Sequence, residues 1–442
     1  MKIALKTTPI DREIVDNALK EAGITQFGGA SIREIKKLIN GIEKDSGQKF
    51  IRMEMGIPGL PAPKIAIEAE KAALDAGVAS LYPDLDGIPP LKKEMSRFAK
   101  NFLDVDVSLE SCIPTVGSIN AAFVTFMVSG RMNAKKDTIL FIDPGFPVHK
   151  QLVKMIGLKQ ENFDVYNFRG NKLKAKIESF LENGNISTIL YSNPNNPSWI
   201  CFNEDELKII GELATKYDVI VAEDLAYFAM DFRKDLSKPG VPPFQHTVAH
   251  YTNNYVLLIS ASKSFSYAGQ RIAMCAISDT LFNSEHKDLL RYYSSSGFGH
   301  CFVHGTIYST TAGTSHSAQY ALAALLKAVN DGSYDFVEAN REYGERANIL
   351  KKMFTGNGFR IVYDMDIDKP IADGFYFTIS YPGLTGEELL KELLYYGISA
   401  ISLSITGSER TEGLRACVSL IQRSQFKVLE GRLKKFNKNH LT

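Results

Sequence analysis

Cysteine is scarce in this chain. Five residues in 442, Cys112, Cys201, Cys275, Cys301 and Cys417, stand singly with no CxxC pair. That spacing excludes a disulfide scaffold and the usual zinc-ligand patterns, and it fits a reducing compartment. An excess of one charge is missing too: 51 Lys and Arg face 50 Asp and Glu, a formal net charge of +1. No global field holds nucleic acid or an anionic membrane, so any anion must be bound locally. The longest apolar stretch, Ala121 to Val128, is far short of a membrane span. The N-terminal residues MKIALKTTPIDREIVD contain no apolar core of signal-peptide length, which predicts a cytoplasmic protein. Internal repeats and low-complexity tracts are likewise absent.

What is present is a globular composition, 45% hydrophobic and 23% charged. At roughly 150 residues per domain, the length predicts two or three domains. Short apolar runs rich in β-branched residues at Thr138–Ile142, Thr188–Tyr191, Val219–Ala222, Tyr255–Ile259 and Ile272–Ile277 read as buried strands. Amphipathic stretches such as Lys172–Glu182 and Glu204–Tyr217 lie between several of them. This alternation predicts an α/β fold with a mainly parallel sheet covered on both faces. After about Asn330 the pattern changes to charged helices at Tyr334–Met353 and Gly386–Tyr396 around a strand-like Gly374–Ile379. The chain therefore divides into an N-terminal arm with part of a small domain (1–60), a large domain (61–330) and a C-terminal small α+β domain (331–442). The amphipathic Ser31–Ile42 precedes a Pro-rich Gly56–Pro63 that reads as the crossing between them. Lys234–Pro243, with three prolines, reads as a surface loop.

Four segments carry candidate chemistry, each beside a strand or a helix start. In Ser260–Arg271 (SASKSFSYAGQR), Lys263 falls just past a buried strand, at the carboxyl edge where open α/β sheets bind ligands. Partial burial there makes a neutral amine available as a nucleophile. Ser260 and Ser262 add hydroxyls, and Arg271 adds a bidentate guanidinium suited to a phosphate. In Tyr191–Pro197 (YSNPNNP), the prolines stop both helix and strand. In Ala222–Tyr227 (AEDLAY), Asp224 and Tyr227 close a strand; Asp224 alone also reads as a helix N-cap. In Pro114–Asn120 (PTVGSIN), Gly117 and Ser118 open an apolar helical run, an arrangement whose free N–H groups receive phosphate or simply begin a capped helix.

Taken in order, these segments resemble the aspartate aminotransferase family, the class I/II pyridoxal-phosphate enzymes of fold type I, over nearly the whole chain. Gly56-Ile-Pro58, Tyr82-Pro-Asp-Leu-Asp-Gly87, the Gly117–Ser118 turn, Phe146 after a proline, Asn196-Pro197, Asp224-x-x-Tyr227, Ser260-x-x-Lys263 with Arg271, and Arg415 in Gly-Leu-Arg-Ala-Cys-Val each match a family motif. The resemblance implies a large domain with a seven-stranded-type, mainly parallel sheet sandwiched by helices. It implies a Schiff base between pyridoxal 5'-phosphate and Lys263. Asp224 should face the ring nitrogen, and Tyr227 and Asn196 the phenolic oxygen. Phe146 should stack on the ring, and Gly117, Ser118, Ser260, Ser262 and Arg271 should surround the phosphate. Tyr82 should reach the phosphate from a neighbouring subunit of a homodimer, and Arg415, with Gly56 and Asn196 nearby, should bind the substrate α-carboxylate.

The family pattern is broken at three positions. Trp199 stands where a glycine is usual and reads as an indole beside the cofactor; Glu223 precedes Asp224 where Asp-Glu is usual; and His149 stands where many members have tyrosine. The Ser/Gly/Thr/His-rich stretch Tyr292–His316 matches no recognition motif. Its His300, His304 and His316 lack the companions of a metal site and read as loop residues or active-site edge groups, so no metal is expected. The function implied is transfer of an amino group between an amino acid, aspartate or glutamate foremost, and a 2-oxo acid in amino-acid metabolism and biosynthesis. The same site chemistry serves a β-eliminating C–S lyase, and the fold also serves as the effector-sensing domain of regulators.

Overall fold

The computed structural model describes residues 7–24 and 26–440. The first six residues, part of the stretch read as lacking a leader, lie outside them. The chain divides into two compact units. The large one comprises Leu60–Asn195 and Ile200–Arg341; the small one comprises the chain up to Gly59, the short Asn196–Trp199 and the chain from Glu342 onward. The crossing read at Gly56–Pro63 contains the first of these boundaries. The later division falls inside the helix Phe336–Thr355 rather than near residue 331, because a change in surface charge does not mark where a helix passes from one unit to the next.

The large unit is built on seven strands: β1 (Cys112–Thr115), β2 (Thr138–Asp143), β3 (Lys159–Asp164), β4 (Ile186–Ser192), β5 (Ile220–Asp224), β6 (Tyr255–Ser260) and β7 (Ala273–Ile277). Their order is β1-β7-β6-β5-β4-β2-β3, parallel except for β7, which runs antiparallel to both neighbours. Every residue of β4 is buried, as expected of a central strand covered on both faces. The apolar helix Gly117–Ser129 packs Ala121, Val124 and Val128 into a core shared with Phe141, Leu190, Leu258 and Cys275. The helix Glu204–Lys216 begins with a capping box, Asn203 and Glu206 each bonding the other's backbone N–H.

In the small unit, β8 (Arg360–Ile361), β9 (Tyr376–Ser380), β10 (Ile401–Ser402) and β11 (Leu414–Cys417) form an antiparallel sheet in the order β10-β11-β9-β8. Ile51–Arg52 pairs separately with Ile398–Ser399. The helix read at Ser31–Ile42 is Ile32–Ser46, closed at its start by a Ser31–Glu34 capping box.

Candidate active site

The register of the large sheet brings the sequence motifs to one edge. Ser192 pairs with Asp224 across β4 and β5, and Asp224 with Leu258 across β5 and β6, so three strand ends present their following residues side by side. Ala273 pairs with both Ser260 and Thr115. The antiparallel β7 therefore delivers Arg271, just before its first residue, between the turn after β6 and the turn after β1.

Lys263 sits in a single helical turn, Ala261–Ser264, whose start is capped by Ser260 Oγ accepting from the Ser262 N–H at 3.1 Å. Ser264 Oγ donates to the Phe228 carbonyl at 3.0 Å, and Asn340 Nδ2 donates to the Ser264 carbonyl at 2.6 Å. These bonds tie the lysine turn to the segment holding Tyr227, itself buried. Lys263 is half-buried, and Ser260 and Ser262 are buried.

Arg271 adopts a left-handed backbone (φ +50°) and donates through Nη1 to the Ala268 carbonyl at 2.9 Å and to Ser262 Oγ at 3.5 Å. Gly117 has φ +75°, and a Cβ there would lie 2.6 Å from Arg271 Nη2. The guanidinium therefore closes over a backbone position without a side chain, at the start of the helix that carries the half-buried Ser118. Free N–H groups, a guanidinium and serine hydroxyls at one corner suit a phosphate dianion.

Asp224 ends β5 fully inside the protein. Its Oδ1 accepts from the Ala226 N–H at 3.1 Å, and its Oδ2 lies 3.8 Å from His149 Nε2. Burial pushes the carboxyl up to about 7, against the pull of the Ala226 N–H. Burial also holds His149 down, to about 4, so the imidazole is neutral and does not compensate the carboxylate. His149 meets Phe146 edge to face at 5.6 Å, and its Nδ1 is buried without a partner. A buried carboxylate facing only a neutral ring and one amide accommodates a cation, and a protonated pyridine nitrogen is such a cation. Glu223 is engaged elsewhere, accepting from Thr247 Oγ1 at 2.6 Å and the Val248 N–H at 3.1 Å. Asn195 donates to the Pro144 carbonyl at 2.8 Å, fixing the turn after β4 to the loop before Phe146.

Of the remaining sequence-predicted residues, Gly56, Asn196 and Arg415 fall in the small unit. Arg415 on β11 is 1% exposed; it donates through Nη1 to Asn196 Oδ1 at 3.2 Å and through Nη2 to the Glu54 carbonyl at 2.8 Å. Both acceptors are neutral, and Nε is buried without a partner. Gly56 lies against Tyr376, an aromatic the sequence reading had not singled out. Trp199, read as an indole beside the cofactor, is buried against Gly374 and Tyr376 of the same unit. Tyr82, in the large unit, is 91% exposed. The loop reading of the histidines is corrected: His300 lies in a short helix, Phe298–His300, His304 in a π-helical turn, Cys301–Ile307, and His316 opens the helix His316–Asn330. Phe298, Cys301, Phe302 and Ile307 are buried, and their spacing is the helical signal that the polar composition masked. Among the described residues no cluster of three or more His, Cys, Asp or Glu could hold a metal ion.

A buried carboxylate at the end of β5, a corner suited to a phosphate and a lysine in the turn after β6 fit a pyridoxal-phosphate enzyme of fold type I. The chain belongs to the aminotransferase class I and II family, whose description matches residues 49–433. It is 27% identical over 352 residues to a probable aspartate aminotransferase of Methanocaldococcus jannaschii, covering 78% of this chain and 82% of the relative. It is 25% identical to a probable N-acetyl-LL-diaminopimelate aminotransferase of Bacillus subtilis, covering 82% and 83%. The Thermotoga maritima aspartate aminotransferase structure superposes with a TM-score of 0.73 at 18% identity, over 95% of this chain and 99% of that one. The protein is thus a pyridoxal-phosphate-dependent aminotransferase, and the C–S lyase alternative is not favoured.

Proposed function

We propose that this aminotransferase uses aspartate or glutamate as amino donor and a 2-oxo acid as acceptor. Arg415, a buried guanidinium whose two hydrogen-bond acceptors are neutral and whose Nε is unpartnered, carries the reading of an amino-acid substrate, because it would hold the α-carboxylate of any amino acid. A desolvated cation of this kind suits the planar fork of a substrate carboxylate. The relatives from Methanocaldococcus jannaschii and Pyrococcus horikoshii named as aspartate aminotransferases support the choice of donor.

When bound, pyridoxal phosphate supplies an electron sink for the pair left at the substrate Cα. Lys263 would hold the cofactor through Nζ and, as a free amine, would take the proton from Cα and return it. Asp224 would keep a proton on the ring nitrogen, Tyr227 and Asn196 would donate to the phenolic oxygen, and Phe146 would lie against the ring. Gly117, Ser118, Ser260, Ser262 and Arg271 would hold the phosphate, with Tyr82 supplied by a second copy in a homodimer. Gly56 and Asn196 accompany Arg415 at the carboxylate. We place the enzyme in the cytoplasm, in amino-acid biosynthesis; none of the five cysteines forms a disulfide, and no described helix is long and apolar enough to cross a membrane. Half-reaction rates for aspartate, glutamate, alanine and phenylalanine test the donor. Both acidic substrates are expected to react fastest, and a faster neutral or aromatic amino acid refutes the dicarboxylate reading.

A further inference from the structure

Arg415 is held by more than its hydrogen bonds. In the register of β9 and β11, Thr378 is opposite Arg415 and Tyr376 opposite Cys417. Tyr376 is therefore the diagonal neighbour of Arg415 on the same face of the sheet, within reach of its side chain. Its ring centroid lies 4.5 Å from Arg415 Cζ, a cation–π contact. Trp199 approaches the same ring edge-on, with centroids 6.1 Å apart and planes at 65°.

Both aromatics rest on residues without side chains. A Cβ on Gly374 would fall 2.0 Å from Trp199 Cε2, and a Cβ on Gly56 would fall 1.9 Å from the Tyr376 hydroxyl oxygen. Trp199 is fully buried at φ +66°, a left-handed conformation that is a real strain for a bulky residue. A strained backbone bearing the only tryptophan of the chain persists because the surrounding packing fixes it.

We infer that Trp199 and Tyr376 are positioning residues that set the plane of the Arg415 guanidinium and exclude water from it, so that its carboxylate affinity depends on both rings. The inference rests on the reading of Arg415 as the carboxylate site. With Nη1 and Nη2 tied to Asn196 and Glu54 and one face covered by Tyr376, the guanidinium has a fixed orientation, and little rotamer freedom is lost when a carboxylate binds.

The test is steady-state kinetics of the holoenzyme carrying Trp199→Gly, which suits the left-handed backbone, or Tyr376→Leu. KM for the amino donor is expected to rise about 10-fold and kcat to fall less than about 3-fold. The inhibition constant of succinate, a carboxylate without an amine, should rise in step with KM, and the cofactor absorbance should stay unchanged. Trp199→Phe, which restores an aromatic edge, should recover part of the lost affinity. If both variants leave KM and succinate inhibition unmoved while Arg415→Ala raises them, the positioning role is wrong and the Arg415 reading stands. If Arg415→Ala also leaves them unmoved, that reading falls and takes the inference with it. A loss of kcat and thermal stability with KM unchanged marks a purely structural role and overturns the inference.

Discussion

Two residues of the proposed cofactor site allow sharp tests. Lys263 is the lysine of the turn after β6, so Lys263→Ala is expected to abolish turnover. Borohydride reduction of the holoenzyme followed by peptide mapping should place the cofactor on Lys263; a label on another lysine overturns the assignment. Asp224 carries a pH signature. Its carboxyl is raised by burial from 3.8 to about 7 in the folded protein, so the native state binds this proton more tightly than the unfolded chain. The stability gained is fully present below the unfolded value and is lost as pH rises through about 7. In cofactor-free protein, Asp224→Asn removes that loss, so its stability relative to wild type should grow between pH 4 and 7 and then level off. The full difference is up to roughly 4 kcal/mol at 1.36 kcal/mol per tenfold change in proton affinity. Urea unfolding at pH 4, 5.5 and 8 measures it, and a difference that does not change with pH refutes the buried, uncompensated carboxyl. In the sequence, the Asp224-x-x-Tyr227 spacing is what singles out Asp224 rather than Glu223. The neutrality of His149 is not legible there, because burial sets it and nothing in the local sequence reports that burial.

At the level of elements, the buried strands were readable because a parallel sheet covered on both faces demands continuous apolar runs. The run read at Thr188–Tyr191 lies within β4, and that at Tyr255–Ile259 within β6. β3 escaped because it is an edge strand, KQENFD, whose first four residues are exposed and need no apolar pattern. β1 escaped because it spans only four residues and contains Pro114, a residue that argues against a strand unless it lies at an edge, where β1 is. The turn between β1 and the helix Gly117–Ser129 is nevertheless where the proposed phosphate site lies. Gly117→Ala would strain a backbone at φ +75° and push a methyl to 2.6 Å from Arg271 Nη2. The left-handed strain alone costs about 1–2 kcal/mol. We expect cofactor affinity to fall at least about 10-fold, since Arg271 must move from the corner it shares with Ser262. An absorbance titration of cofactor-free protein measures this, and unchanged affinity would show that the phosphate lies elsewhere.

Over the whole molecule, the two compact units are not each one continuous stretch of chain. The four residues Asn196–Trp199 belong to the small unit although both flanks belong to the large one, and such a short excursion leaves no mark in composition or periodicity. The same scale bears on assembly. Tyr82 is 91% exposed and Leu81 61%, beside Leu74 at 47%, and all three line one surface hollow of the large unit with Pro83 and His316. A cluster of exposed apolar and aromatic residues is the mark of an interaction surface. A second copy of the chain covering it would carry Tyr82 to its partner's phosphate, so the enzyme should sediment at twice 49.1 kDa. Shared sites make a stricter prediction than mass. Lys263→Ala and Tyr82→Ala, each impaired alone, should complement when mixed and reassociated, because a hybrid dimer holds one site with both residues intact. Random reassociation at equal amounts makes half the dimers hybrid, each with one intact site in two, so activity should reach roughly a quarter of wild type. Dimers that re-form from the mixture without regaining activity would place the role of Tyr82, if it has one, within its own subunit.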